Sequence, residues 1–194
     1  VLTPMRKGNL GVEALNGILQ QYLNPPDDRK KEYQQGQIIY REGDKVMQIR
    51  NNYQLEWEVV SRYGIPVDKG LGVFNGDMGL IREIRENSSE VIVEYDEGRR
   101  VTYPFSLLEE LELSYAITIH KSQGSEFDVV VIPVIAGTSM ILTRNLIYTA
   151  VTRAKKMVVL VGEQKNLKHM VSNNYTVQRF TLLKSMIISA DKKI

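Results

Sequence analysis

The chain has 194 residues, of which 43% are hydrophobic and 25% charged, and its formal net charge is +2. This length suits one sizeable core, or one domain with a small added module. The sequence has no cysteine and only two histidines, which excludes disulfides and thiolate metal sites, argues against a dedicated zinc site, and fits a cytoplasmic location. No apolar run approaches the roughly 20 residues that span a bilayer, so we expect no membrane partner.

The N-terminal region predicts a strand, a turn and a helix. Residues 1–5 are apolar and strand-like, and residues 6–9 are turn-like. Apolar residues then recur at three- and four-residue spacing, which predicts a helix with one apolar face: Val12, Leu15, Ile18, Leu19 and Tyr22. Pro25 and Pro26 end this helix. Because the sequence starts at Val1 without an initiator methionine, we expect it to be part of a longer protein.

The middle of the chain predicts a separate β module. Short strands alternating with turn residues are typical of a small barrel or sheet, and they are expected at residues 38–40, 44–50, 79–85, 90–95 and 99–103. Residues 51–69 are predicted to be polar and irregular. The sole tryptophan, Trp57, is expected to pack against the module rather than to stack on a base. We therefore predict an inserted module at residues 36–112.

Residues 91–97 imitate a magnesium-binding strand, because an apolar run there ends in two acidic residues. We interpret this segment as a hairpin, since the sequence Asp96-Glu97-Gly98 is typical of a tight turn. A magnesium-binding acid also needs a phosphate-binding loop beside it. The sequence contains no G-x-x-x-x-G-K-[ST] loop of that kind.

A polar segment between two apolar, β-branched runs follows the module. Buried parallel strands read as continuous apolar runs, and the loops at their ends carry function. The polar segment holds Thr118, His120, Lys121, Ser122, Gln123, Gly124 and Glu126. Hydroxyl, imidazole and ammonium groups suit contacts with phosphate. A plain surface loop with a capping serine explains the same residues, and the residues alone leave both interpretations open.

The C-terminal third predicts a helix at residues 143–156, a buried strand at 157–162, a helix at 166–171 and a last helix at 180–188, after a break at 137–138. One face of the first helix is polar and carries Asn145, Tyr148, Thr149, Thr152 and Arg153. Arg153 is either a surface or ion-pair residue, or a guanidinium that stabilises charge in phosphoryl transfer. Lys155 and Lys156 are interpreted as surface residues.

Several of these segments together resemble superfamily 1 helicases of the RecD/TraA branch. Residues 115–127, Tyr-Ala-Ile-Thr-Ile-His-Lys-Ser-Gln-Gly-Ser-Glu-Phe, resemble motif V. Residues 145–154, Asn-Leu-Ile-Tyr-Thr-Ala-Val-Thr-Arg-Ala, resemble motif VI. Residues 1–16 resemble the motif IV region, and residues 74–79 resemble the entry to an SH3-like module. The resemblance spans nearly the whole chain.

The resemblance implies an α/β fold: a RecA-like (P-loop NTPase-type) three-layer domain at residues 1–35 and 113–194, split by a small SH3-like β-barrel at 36–112. It implies the C-terminal motor domain of an ATP-dependent 5′→3′ DNA helicase of repair or recombination. ATP and Mg would be bound mainly by an N-terminal RecA-like domain of the same full-length chain. The present chain alone is then expected to be inactive. Single-stranded DNA and recombination or repair proteins are the implied partners.

The resemblance also implies roles for individual residues. Arg153 would be the arginine finger, Glu126 would bind the nucleotide ribose with Gly124 close by, and Arg6 would be a second phosphate contact. The residues that would touch the backbone of single-stranded DNA are Thr118, His120 and Ser122. Two alternatives stay open: a non-catalytic DNA- or protein-binding module on a degenerate motor scaffold, and part of a conjugative relaxase-helicase.

Overall fold

The computed structural model describes residues 1–61, 63–134, 136, 142–175 and 187–188. The predicted chain break at 137–138 lies outside these residues. The predicted last helix at 180–188 also lies outside them, apart from its last two residues, which are helical. Within the described ranges, no helix is long and apolar enough to cross a bilayer.

The described residues form three α-helices and thirteen β-strands. The helices are α1 (Val12–Leu23), α2 (Arg144–Val151) and α3 (Gln164–Ser172). The strands are β1 (Leu2–Thr3), β2 (Glu32–Gln35), β3 (Ile38–Arg41), β4 (Lys45–Gln48), β5 (Asn52–Val60), β6 (Pro66–Val73), β7 (Met78–Arg85), β8 (Glu90–Tyr95), β9 (Arg99–Pro104), β10 (Leu111–Leu113), β11 (Ile117–Thr118), β12 (Phe127–Val134) and β13 (Ala154–Gly162).

Most of the predicted β module is an antiparallel sheet of seven strands in the order β10-β4-β7-β8-β9-β5-β6, while β3, the strand predicted at residues 38–40, pairs with β2 in a separate hairpin. Alternate residues of its strands point inward, so that side chains such as Val46, Ile81, Val93 and Tyr103 are fully buried in one core. The turn between β8 and β9 at Asp96–Gly98 confirms the hairpin interpretation of residues 91–97. Among the described strands, β10 and β6 are the two edges of the sheet and do not pair with each other. The sheet is therefore open, where a closed barrel was expected.

The prediction that residues 51–69 are irregular is wrong. β5 and β6 form a long antiparallel hairpin at the edge of the sheet. Trp57 on β5 pairs with Gly70 on β6 and packs against the module core, as expected. A Cβ atom at Gly70 would lie 2.5 Å from the indole ring, so glycine is what lets the ring lie flat across the neighbouring strand.

The α/β part contains two parallel strand pairs, β1 with β11 and β12 with β13. Their inward side chains share one core with α2 and α3, which includes Leu2, Ile119, Ile132 and Leu146. β13 is less buried than predicted, because Met157 and Val161 are more than half exposed. The chain therefore buries the α2 side of this pair and leaves apolar side chains of β13 open to solvent.

Helix α1 begins and ends as predicted, but two of its three buried residues are polar. Tyr22 is 82% exposed, whereas Asn16 and Gln20 are buried. The Asn16 side chain bonds the backbone of Leu113 and Ala116, at 2.7 to 3.1 Å. Those bonds replace the backbone pairing that the chain loses where it leaves the module. The apolar spacing therefore predicted the helix correctly and its buried face only in part, since Val12 is buried and Leu19 packs against the module core, whereas Ile18 and Tyr22 are exposed.

Helix α2 is shorter than predicted and ends at Val151. Thr143 caps it, since its hydroxyl accepts a bond from the amide of Leu146 at 3.3 Å. β13 starts at Ala154, two residues after the helix cap at Thr152. Lys155 and Lys156 therefore lie on a strand, both exposed as expected, and Arg153 lies in the tight turn between helix and strand.

Candidate nucleotide and nucleic-acid site

The predicted polar segment is a turn between β11 and β12, as its sequence indicated. The amide of Lys121 bonds the Thr118 hydroxyl at 3.2 Å, and the amide of Ser122 bonds the Thr118 carbonyl at 3.2 Å. Gly124 ends the turn at φ +90°, a left-handed conformation that costs glycine little. A Cβ atom there would meet nothing within 4 Å, so the backbone at Gly124 borders open space that a ligand can approach.

Arg153 lies directly against the far end of this loop. Its Nη1 donates to the Ser125 carbonyl at 3.3 Å, and its own carbonyl accepts the amide of Phe127 at 2.8 Å. Its Nε is buried and has no hydrogen-bond partner among the residues that the structure describes. The loop and the α2–β13 turn are thus fastened together by the backbone and side chain of one arginine, and that side chain retains unused donors.

Glu126 follows the Arg153 contact and faces solvent. Its carboxylate lies 3.2 Å from Nζ of Lys155 on β13, and both side chains are more than half exposed. Such a pair contributes little to stability, so both groups remain accessible to a ligand. The structure therefore brings together three predicted nucleotide-side residues: Gly124, Glu126 and Arg153.

Arg6, the fourth nucleotide-side prediction, lies at the other end of the loop. Its guanidinium donates to Glu112 of β10 at 2.5 and 3.5 Å. Lys121 donates to the same carboxylate at 3.1 Å. Burial acts to raise the pKa of the Glu112 carboxyl, but hydrogen bonds from Arg6 and Lys121 outweigh it and hold that pKa below its usual value. Hydrogen bonding to Glu112 likewise raises the pKa of Arg6.

The three predicted DNA-side residues differ in accessibility. His120 is exposed and Thr118 half-buried, with its hydroxyl accepting an amide of the turn. Ser122 is fully buried, and its hydroxyl donates to the Ile119 carbonyl at 2.7 Å. The Ser122 side chain therefore fixes the shape of the turn and has no open surface through which to touch DNA in this conformation.

Two residues of this region were not singled out from the sequence: Glu112, and Lys155 as a partner of Glu126. The alternation Leu111-Glu112-Leu113 does signal a strand with one outward acid. Which cations the Glu112 carboxylate contacts depends on the fold, since Arg6 lies more than a hundred residues away in the sequence. In the described part of the chain, no group of three or more His, Cys, Asp or Glu side chains could hold a metal ion.

Comparison with protein families gives two matches. Residues 15–95 match the family described as "ATP-dependent RecD-like DNA helicase SH3 domain", and residues 113–161 match the "UvrD-like helicase C-terminal domain". The first range covers most of α1 and the strands β2 to β8, and the second covers β11, the loop, β12, α2 and most of β13. Arg153, Glu126 and Gly124 fall within the second range.

Curated relatives and a solved structure agree with these matches. The chain is 36% identical over 162 residues to the "ATP-dependent RecD2 DNA helicase" of Deinococcus radiodurans, covering 84% of this chain and 20% of the relative. It is 40% identical over 101 residues to the "RecBCD enzyme subunit RecD" of Mycolicibacterium smegmatis, covering 52% of this chain and 17% of the relative. The chain thus spans about a fifth of the length of these relatives.

The fold resembles that of a Pif1 helicase from Bacteroides in complex with ADP-AlF3 and ssDNA, with a TM-score of 0.53 and 18% identity over 99% of this chain and 45% of that one. At this identity the likeness concerns the fold alone. The family assignment rests instead on the two family matches and on the RecD relatives. By its SH3 and C-terminal helicase domains, the chain belongs to the RecD-like DNA helicases.

Proposed function

We propose that this chain is the C-terminal motor region of an ATP-dependent DNA helicase that moves 5′→3′ along single-stranded DNA. In this proposal the α/β part is a RecA-like three-layer domain and the β module its SH3-like insertion. The hydrogen bond from Arg153 to Ser125 carries the proposal, because it joins the motif V-like loop to the motif VI-like helix turn. The printed names of the relatives, "ATP-dependent RecD2 DNA helicase" among them, support it.

The nucleotide would lie beside Gly124, Glu126 and Arg153. Arg153 keeps donors that its contacts with Ser125 and Thr152 leave unused, and a guanidinium is suited to developing charge on phosphoryl oxygens. Glu126 is an exposed acceptor for ribose hydroxyls. Magnesium and the phosphate-binding loop would come from the N-terminal motor domain, as the RecD resemblance implies.

Single-stranded DNA would lie at the Thr118 and His120 end of the loop. The turn fixes the backbone of both residues, and the buried Ser122 hydroxyl holds that turn in shape. ADP-AlF3 and ssDNA are bound together in the similarly folded Bacteroides Pif1 structure, which supports a two-ligand arrangement. The RecBCD name of the mycobacterial relative supports recombination or repair proteins as further partners.

The test is the substitution Arg153→Ala in the complete natural protein. We expect the rate of DNA-stimulated ATP hydrolysis to fall by about 10³–10⁵, since arginine fingers contribute that much in phosphoryl transfer, while affinity for single-stranded DNA changes little. Arg85→Ala is the control, because Arg85 is also a partly exposed arginine but lies in the β module, where it pairs with Glu83. A large loss of DNA affinity with an unchanged kcat would reverse the role given to Arg153.

A further inference from the structure

Strand β13 contains a β-bulge beside the candidate nucleotide site. The register of β12 against β13 shifts between Phe127 and Val129. As a result two residues of β13, Lys155 and Lys156, lie opposite the single residue Asp128. Bulges are rare between parallel strands, and they are over-represented next to active sites, where they re-aim a side chain. This one lies at the start of β13, directly after the turn that carries the proposed arginine finger.

The bulge gives each acid at the start of β12 a lysine of its own. Nζ of Lys155 lies 3.2 Å from Oε2 of Glu126. Nζ of Lys156 lies 2.9 Å from Oδ2 of Asp128. In an unbroken register Lys155 itself would lie opposite Asp128. Because the extra residue lets Lys156 take Asp128 instead, Lys155 is turned towards Glu126.

The backbone on both sides of Glu126 is fixed, but its side chain faces solvent. The Ser125 carbonyl accepts Nη1 of Arg153 at 3.3 Å, and the Phe127 amide donates to the Arg153 carbonyl at 2.8 Å. The Glu126 side chain is 60% exposed, and ordering such a side chain when a ligand binds costs conformational entropy. An ammonium that already holds one carboxylate oxygen reduces this cost. Since a carboxylate has about four acceptor sites, Glu126 can still accept hydroxyls while Lys155 is in place.

We propose that Lys155 is a positioning residue, which holds the Glu126 carboxylate in place for the ribose of the nucleotide. It acts through Glu126 and needs no contact with the nucleotide itself. The inference rests on the proposed function, in which Glu126 accepts ribose hydroxyls. A site built to bond a substrate hydroxyl discriminates strongly against an analogue that lacks it. Lys155 therefore governs how well the complete protein distinguishes ATP from deoxy analogues, rather than how fast the bound nucleotide is hydrolysed.

The chain supplies a matched control for Lys155. The pair of Lys156 with Asp128 joins the same two strands and is also exposed, but it takes no part in the proposed nucleotide site. Exposed ion pairs add little to stability. If both pairs only fastened β12 to β13, replacing either lysine would have the same small effect on activity.

The test uses Lys155→Gln and Lys156→Gln in the complete natural protein. DNA-stimulated hydrolysis of ATP, 2′-deoxy-ATP and 3′-deoxy-ATP is measured over a range of concentrations, so that kcat and KM are obtained for each. In Lys155→Gln we expect KM for ATP to rise about three- to tenfold while kcat changes by less than about twofold. The preference for ATP over the deoxy analogue that the wild type rejects more strongly should fall by about the same factor as KM rises. Lys156→Gln should behave like the wild type, and the charge-preserving Lys155→Arg should retain most of the preference.

Glu126→Ala separates failure of this inference from failure of the proposed function. Loss of the preference in Glu126→Ala but not in Lys155→Gln would overturn the role of Lys155 and leave the ribose contact intact. An equal loss in Lys155→Gln and Lys156→Gln would reduce both lysines to strand fasteners. A wild-type protein without ATP hydrolysis or without the preference, or a Glu126→Ala variant that retains it, would overturn the ribose contact itself and with it this inference.

Combining the two changes shows whether Lys155 acts through the carboxylate. Lys155→Gln added to Glu126→Ala should lower the preference no further, because the lysine then has no carboxylate to hold. A further loss would overturn the positioning role, since Lys155 would then act on the nucleotide directly. Urea unfolding midpoints establish that the variants are folded.

Discussion

At the scale of single residues, electrostatics in this chain depend on how many partners each acid has. Glu112 has two cationic partners on separate segments, and Glu94 likewise has Arg82 and Arg100 across neighbouring strands. Asp44 differs, because it is fully buried and accepts four hydrogen bonds, from Gln20, Asn24, Tyr115 and the Arg41 amide. Within the described ranges of the chain it forms no ion pair. Buried carboxylates require such complete pairing, so Asp44 fixes its neighbours in one arrangement.

Glu112→Gln should lower stability in a pH-dependent way. The folded pKa of Glu112 lies below its unfolded value of about 4.3. The carboxylate therefore stabilises the fold above that pH, and its contribution is lost as the pH falls through the folded pKa. We expect a loss of about 0.5–1 kcal/mol at pH 7 that shrinks as the pH is lowered. Urea unfolding of the wild type and the variant at several pH values measures this difference.

Glu86→Gln provides the control for this pH dependence. Glu86 is an exposed carboxylate on the turn between β7 and β8, so its replacement should change the free energy of unfolding little at any pH. A Glu112→Gln variant whose deficit stayed constant down to acid pH would show that the carboxylate charge is not what stabilises this cluster.

At the scale of elements, the β5–β6 hairpin depends on one close approach between a ring and a glycine. Gly70→Ala would place a Cβ atom 2.5 Å from Cζ2 of Trp57, so the ring must move off its neighbouring strand. We expect a loss of about 1–3 kcal/mol, as for other overpacked positions. Because Trp57 is the sole tryptophan, a shift in its fluorescence emission reports the displacement directly.

Gly17→Ala is the matched control for the glycine substitution. Gly17 lies inside α1, and a Cβ atom there would meet nothing within 4 Å. Alanine should therefore stabilise the chain by about 0.5–1 kcal/mol through helix propensity, with unchanged Trp57 emission. Equal stability of Gly70→Ala and the wild type would mean that the indole ring can leave its position without cost.

The sequence predicts those elements whose signals are local. The β11 and β12 strands, the turn between them and the β8–β9 hairpin follow from apolar runs and turn residues. The β5–β6 hairpin was missed although Tyr53, Leu55, Trp57 and Val59 alternate along β5, because polar residues between them made the segment look irregular. The burial of Asn16 in α1 could not be predicted, since its side chain finds its partners about a hundred residues away.

For the candidate site, sequence reasoning found the loop and Arg153, and the structure joins them through Ser125. It did not anticipate that Arg6 would share an acid with Lys121. That pairing depends on how β10 leaves the module beside the turn after β1. Such a juxtaposition follows from the fold as a whole, and no local pattern in the sequence encodes it.

At the scale of the whole molecule, the β module and the α/β part are joined by a buried polar network. Gln20 of α1 and Asn24, which caps the C-terminal end of α1, both bond Asp44, which lies between β3 and β4 of the module. Tyr115, just before β11, bonds the same carboxylate at 2.9 Å. Met47 of β4 adds an apolar contact, since it packs in the α/β core. The buried carboxylate of Asp44 thus ties the module to the segment that leads into β11 and the loop.

The 194-residue chain by itself should not hydrolyse ATP above background, with or without single-stranded DNA. In the proposed site Arg153 and Glu126 would contact the nucleotide, but the sequence has no phosphate-binding loop to hold its phosphates and magnesium. Phosphate release by the purified chain, compared with that of the complete natural protein, measures this. A cooperative transition in Trp57 emission would establish that the chain is folded in the assay. DNA-stimulated hydrolysis by this chain, abolished by Arg153→Ala, would mean that it contains a complete active site and that the assignment of its missing half to another domain is wrong.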